Sequence, residues 1–83
     1  MLVSNSDLME VLAIYNTQDV VIQVALYGNK SYILVLYQSG KEWRSIKYSV
    51  YDTETEAIQK AHELKMVLSD YYEPTIMKYH VTA

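Results

Sequence analysis

Between positions 20 and 51 three runs rich in apolar residues are interrupted twice by glycine. Segments 20–27, 31–37 and 42–51 are rich in β-branched and aromatic residues, the composition of half-buried strands. Gly28 and Asn29 separate the first two segments, and Ser39 and Gly40 precede the third. A glycine in a two-residue loop supplies the positive φ that a tight hairpin needs. The chain has two glycines, and both fall at these corners. The pattern predicts a three-stranded antiparallel meander.

Two-residue loops fix register. Across the first turn, Val24 should face Ile33, Ile22 face Val35 and Val20 face Tyr37. Across the second, Ile33 should face Ile46 and Ser31 face Tyr48. Paired residues share a side of the sheet. One face then collects Val20, Ile22, Val24, Leu26, Ile33, Val35, Ile46, Tyr48 and Val50, with Arg44 at its margin, and is the expected core face. The other collects Val21, Gln23, Ala25, Tyr27, Tyr32, Leu34, Leu36, Trp43, Ser45, Lys47, Ser49 and Tyr51. That mixture is more apolar than a surface meant only for water. A three-residue second loop would swap the faces of the third strand.

Helical spacing brackets the meander. Ser4, Asn5, Ser6 and Asp7 all suit a helix N-terminus, and Asp7 is followed three residues on by Glu10. Leu8, Val11, Leu12 and Tyr15 then share one helical face, which predicts a short helix over 7–15. The competing reading is a strand over 10–15 followed by a hairpin loop over 16–19. After the meander, Thr53 and Glu56 form a capping box. Ala57, Ile58, Ala61, Leu64, Leu68, Tyr71 and Tyr72 make the apolar stripe of a helix over about 54–72, ended by Pro74. Glu56 and Lys60 have the spacing of a helical ion pair. The tail 75–83 alternates and suits a short edge strand or an ordered arm. The expected fold is therefore α+β: a short N-terminal helix, a three-stranded antiparallel sheet, a long C-terminal helix on one face and an edge strand at the C-terminus. The long helix covers one side of the sheet, and the segment 7–15 is too short to cover all of the other, so some of Tyr27, Tyr32, Leu36, Trp43 and Tyr51 should stay accessible.

Composition narrows the function classes. At 83 residues the chain suits one small domain spanning 1–83. Cysteine is absent, so there is no disulfide framework and no thiolate metal site, which fits a reducing compartment. No apolar run reaches the roughly 18 residues of a membrane span, and Met1, Leu2 and Val3 are too few for a signal segment. The expected setting is cytoplasmic, with no membrane partner. Net charge is −3. Its distribution is uneven: Lys30, Lys41, Arg44 and Lys47 lie in a weakly basic hairpin between acidic flanks. Nine tyrosines, one tryptophan and no phenylalanine favour rings that keep a polar tip, which suits half-wet surfaces and binding hot spots.

Recognisable catalytic chemistry is missing. His62 and Glu63 open like the zinc motif H-E-x-x-H, but position 66 is Met, so the second helical ligand is lacking. The carboxylates between Asp52 and Glu73 are explained as cap, helix-dipole and solvated residues. No phosphate-binding loop remains once both glycines are in hairpins, and no serine sits in a nucleophile elbow. No cofactor and no enzymatic activity are expected.

The order of short helix, three-strand meander and capped helix resembles some small phage-encoded inhibitors, including certain anti-CRISPR proteins. The likeness lies in element order and covers most of the chain. It implies a non-enzymatic inhibitor that acts by binding a protein. The set Tyr48, Asp52, Thr53, Glu56 and Ala57, with Trp43 upstream, is similar to the three-strand-plus-helix DNA-binding modules at the ends of integrases. Those modules are usually basic, whereas this chain is acidic. A strand over 10–15 would instead give four strands plus a helix, similar to one type of single-strand DNA binder. The leading expectation is a protein-interaction module that uses Trp43, Tyr32, Tyr27, Leu36, Tyr51 and Lys47. The alternatives are nucleic-acid binding through Lys30, Lys41, Arg44 and Lys47, and a homodimer formed through the mixed face.

Overall fold

The computed structural model describes residues 4–15 and 18–81. Gly28 and Gly40 adopt φ of +59° and +67°, the left-handed region that side chains disfavour. They divide the middle of the chain into β1 (Asp19–Tyr27), β2 (Lys30–Ser39) and β3 (Glu42–Tyr51), paired as an antiparallel meander. Helix α1 (Asn5–Tyr15) precedes them, and α2 (Glu54–Leu68) and β4 (Glu73–Val81) follow. The sheet therefore has four strands, in the order β3-β2-β1-β4: the expected three-stranded meander, with the tail supplying the edge strand that its alternation suited. The tail is a full strand parallel to β1, running Asp19 beside Glu73 through Tyr27 beside Val81. Parallel neighbours need a long crossover. Here α2 and its flanking turns carry the chain from one edge of the sheet to the other. Pro74 is tolerated because β4 is an edge strand. Residues 16 and 17 of the alternative hairpin loop, and 82 and 83 of the tail, lie outside the described residues.

The first hairpin has the expected register, with Val24 opposite Ile33 and Val20 opposite Tyr37. The second differs twice. Its loop is Gly40 and Lys41, which again puts glycine first, so Ile46 pairs with Val35 instead of Ile33. A bulge then falls between Ile33 and Leu34: Lys47 pairs with Leu34 and Ser49 with Ile33, leaving Tyr48 as the extra residue. Beyond it the strand's faces exchange. Ser49 and Tyr51 turn to the helix side, where Ser49 is buried and Tyr51 packs against the core. Val50, expected in the core, faces out at 41% exposure. Tyr48 still packs against the core, and its hydroxyl donates to Asn5 Oδ1 on α1.

Both helices lie on one side of the sheet. Leu8 and Leu12 of α1 join Ala57, Ala61, Leu64 and Leu68 of α2 in a single cluster with Val20, Ile22, Val24, Ile33, Val35 and Tyr37. Four strands about 4.8 Å apart make a sheet roughly 19 Å wide. One helix, about 10 Å across, covers half of that. The fourth strand thus explains why α1 shares the face of α2 and does not sit on the opposite one. The cap of α1 is Ser4, not Asp7: Ser4 Oγ accepts from the Asp7 N–H at 3.1 Å, which starts the helix earlier than the sequence reading had it.

Thr53 caps α2 as expected, its Oγ accepting from the Glu56 N–H at 3.2 Å. The helix ends at Leu68, four residues earlier than expected. Ser69 and Asp70 compete for backbone hydrogen bonds, and the Ser69 hydroxyl donates to the Lys65 carbonyl. The N–H groups of Tyr71 and Tyr72 close a turn on the Leu68 carbonyl. Lys60 pairs with Glu63, at 3.6 Å, where Glu56 had been expected.

Candidate interaction face

With both helices on one side, no described residue covers the other side of the sheet. Strand pairing arranges it in rows, read from β3 through β2 and β1 to β4. Val50, Tyr32, Ala25 and Tyr79 form one row. Lys47, Leu34, Gln23 and Met77 form the next, followed by Ser45, Leu36, Val21 and Thr75. Beyond these, Trp43, Gln38, Asp19 and Glu73 close one end. Lys30, Tyr27 and Val81 close the other, with Asp52 just past β3. In the three middle rows Lys47 is the single charged residue.

Large apolar side chains are exposed on this face, as Ile14, Met66, Val67 and Tyr71 are on the helices and the turn after α2. Tyr27, Trp43, Val50, Met77 and Tyr79 are 41–54% exposed, and all five project from this face. Val21, Tyr32, Leu34, Leu36 and Val81 between them are half-buried by their neighbours alone. Ala25 is the exception, at 5% exposure. Its methyl floors a shallow depression of about 310 Å³ lined by Tyr27, Tyr32, Leu34, Lys47 and Val81. Lys47 Nζ lies 4.7 Å from the centroid of the Tyr32 ring, a cation–π contact that holds the charge over the apolar band.

Of the residues expected to bind a partner, Trp43, Tyr32, Tyr27, Leu36 and Lys47 share this face. Tyr51 does not, because the bulge turns it toward the helices. The sequence reading missed Tyr79, Met77 and Val81, which join only through the parallel pairing of β4. The alternation of Met77, Tyr79 and Val81 was the available signal, but it lacked a partner strand.

The four bases of the hairpin do not converge. Lys47 is on the open face, whereas Arg44 lies over the Tyr15 ring on the helix side, 5.8 Å from its centroid. Lys41 is in the second turn. Lys30 sits at the opposite end of β2 and is held by Asp52 at 2.6 Å. That pair holds the Asp52 carboxyl below its ordinary pKa and the Lys30 ammonium above its own, through the hydrogen bond first and the charge attraction second. Burial, followed by the nearby Tyr51 and Glu63, raises the Tyr48 hydroxyl pKa.

His62 is exposed on α2, and among the described residues no three metal-ligating side chains cluster. No helix among them is long and apolar enough to cross a membrane. No family model matches the chain, and no curated protein or solved structure shows significant similarity to it.

Proposed function

We propose that this chain is a non-enzymatic protein-interaction module that docks a protein partner on the open face of its sheet. One observation carries the reading: both helices pack on the same side, so no described residue lies over the contiguous apolar and aromatic band on the other side. Exposed apolar surface of that extent marks interaction sites far more often than plain solvent contact. Tyr32, Tyr79, Tyr27 and Trp43 supply large rings with little conformational entropy to lose. Lys47 over Tyr32 supplies one orienting charge. An inhibitor of the phage-encoded kind that the element order resembles would act in this way, by occluding a partner's surface without turning over a substrate.

Nucleic-acid binding draws less support. Phosphate contacts need several bases along one track, and Lys30, Lys41, Arg44 and Lys47 are spread over two faces and two ends.

The test is capture by the immobilised chain from an extract of its source cells, repeated with Trp43→Ala and Tyr32→Ala. Both variants should keep the wild-type melting curve and lose the captured protein. Undiminished capture by both would contradict the reading. Salt-sensitive retention on single-stranded DNA or heparin, lost with Lys47→Ala, would replace it with the nucleic-acid alternative.

A further inference from the structure

Resting on that reading, we infer that the occupant of the open face is a second copy of this chain, packed sheet on sheet about a two-fold axis parallel to the strands. The size of the face is the first argument. Five rows about 6.8 Å apart on four strands about 4.8 Å apart give a footprint on the order of 650 Å². Two copies face to face bury roughly 1,300 Å², inside the range of about 1,200–2,000 Å² for stable specific interfaces. Sheets stacked in this way run their strands within about 30° of each other, with inner side chains interdigitating.

Charge selects the axis. A self-pairing face must not oppose like charges. Lys47 is in the middle row at the β3 edge. An in-plane axis perpendicular to the strands would place β3 on β3 and bring the two Lys47 ammonium groups together. An axis along the strands places β3 on β4, so each Lys47 meets Met77 and the two lysines lie at opposite edges. The same axis sets the acidic corner of Asp19 and Glu73 against the corner of Trp43 and the Lys41 turn. It also lays Tyr79 and Val50 of the two copies across one another, with Tyr32 and Leu34 over the depression floored by Ala25. Both helices stay outside the interface.

Light scattering from about 1 to 200 µM chain, with Leu34→Glu, Tyr79→Glu and Met66→Glu alongside, tests this. Met66, on α2, is 76% exposed and far from the face. Circular dichroism monitors folding throughout. The wild type and Met66→Glu should approach twice 9.6 kDa, and Leu34→Glu and Tyr79→Glu should stay at 9.6 kDa with native spectra. Added salt should leave the dimer intact or tighten it. A wild-type mass of 9.6 kDa at every concentration overturns the second copy. The docking reading then stands or falls separately, on whether Trp43→Ala and Tyr32→Ala abolish capture of a foreign protein. A dimer that survives both Leu34→Glu and Tyr79→Glu overturns the sheet-face interface itself.

Discussion

Replacing Leu64 with Ala probes the packing that frees the opposite face. Leu64 is 3% exposed and belongs to the cluster that unites α1, α2 and the sheet. Removing its three terminal carbons forfeits about 0.8 kcal/mol each, or roughly 2.4 kcal/mol of transfer energy. A cavity term adds to this. The side chain borders a surface groove between α1 and α2 lined by Asn5, Tyr48 and Val67, into which neighbours can relax. The expected total is therefore about 3 kcal/mol, near the lower end of the buried Leu→Ala range. A domain of this size has about 4–12 kcal/mol in all, and a loss of 3 kcal/mol lowers Tm by roughly 12–24 °C. Met66→Ala, two positions on and exposed, is the control and should stay within about 0.5 kcal/mol of wild type. Urea melts of both variants provide the assay. A Leu64→Ala loss no greater than that of Met66→Ala would refute the assignment of α2 to this face.

Other expectations follow from single positions. Ser49 is 3% exposed and its hydroxyl has no partner among the described residues; Ser49→Ala should be neutral or stabilise by up to about 1 kcal/mol, and a loss beyond that in a urea melt would show the hydroxyl to be satisfied. A Cβ at Gly28 or Gly40 meets nothing within 4 Å, so Gly→Ala at each should cost only the positive-φ strain, about 1–2 kcal/mol, and Gly→Asn less; equal losses for Ala and Asn would point to a different cause. Asp52 titrates below its ordinary value in the folded state, so its pairing with Lys30 stabilises above the unfolded pKa and fades as pH falls through the lower folded one. Carbon-13 NMR should place the Asp52 pKa below that of a model peptide, and Lys30→Met should return it; an unmoved value would remove the ion pair from the account.

How legible the fold was depended on how local its determinants are. Gly28 left the first hairpin no freedom, and its register is the one read from sequence. Gly40 fixed a second corner too, but whether it was the first or second central residue shifted every β3 pairing by two positions. The bulge at Tyr48 has no signature of its own, since Lys47, Tyr48 and Ser49 continue an ordinary alternation. It moved Tyr51 and Val50 to the wrong faces in the sequence reading. The parallel pairing of β4 depends on contacts between residues some fifty positions apart. Without a partner for that edge strand the breadth of the sheet beside β1 was not legible, and α1 was left to the opposite side. The candidate face was legible in its β2 part, where Tyr32, Leu34 and Leu36 alternate with the core, and illegible in its β4 part.

The central claim is that the face opposite the helices is where a macromolecule docks. Because the chain contains no cysteine, Thr75→Cys places a unique thiol on that face, at an exposed position, and Met66→Cys places one on α2. Alkylation rates of both, measured as chain concentration rises through the association range, test the claim directly. Thr75→Cys should react freely in dilute solution and slow by at least tenfold on association, while Met66→Cys reacts at one rate throughout. Protection of Met66→Cys with Thr75→Cys left fully reactive would place the docking surface on the helices and contradict the claim.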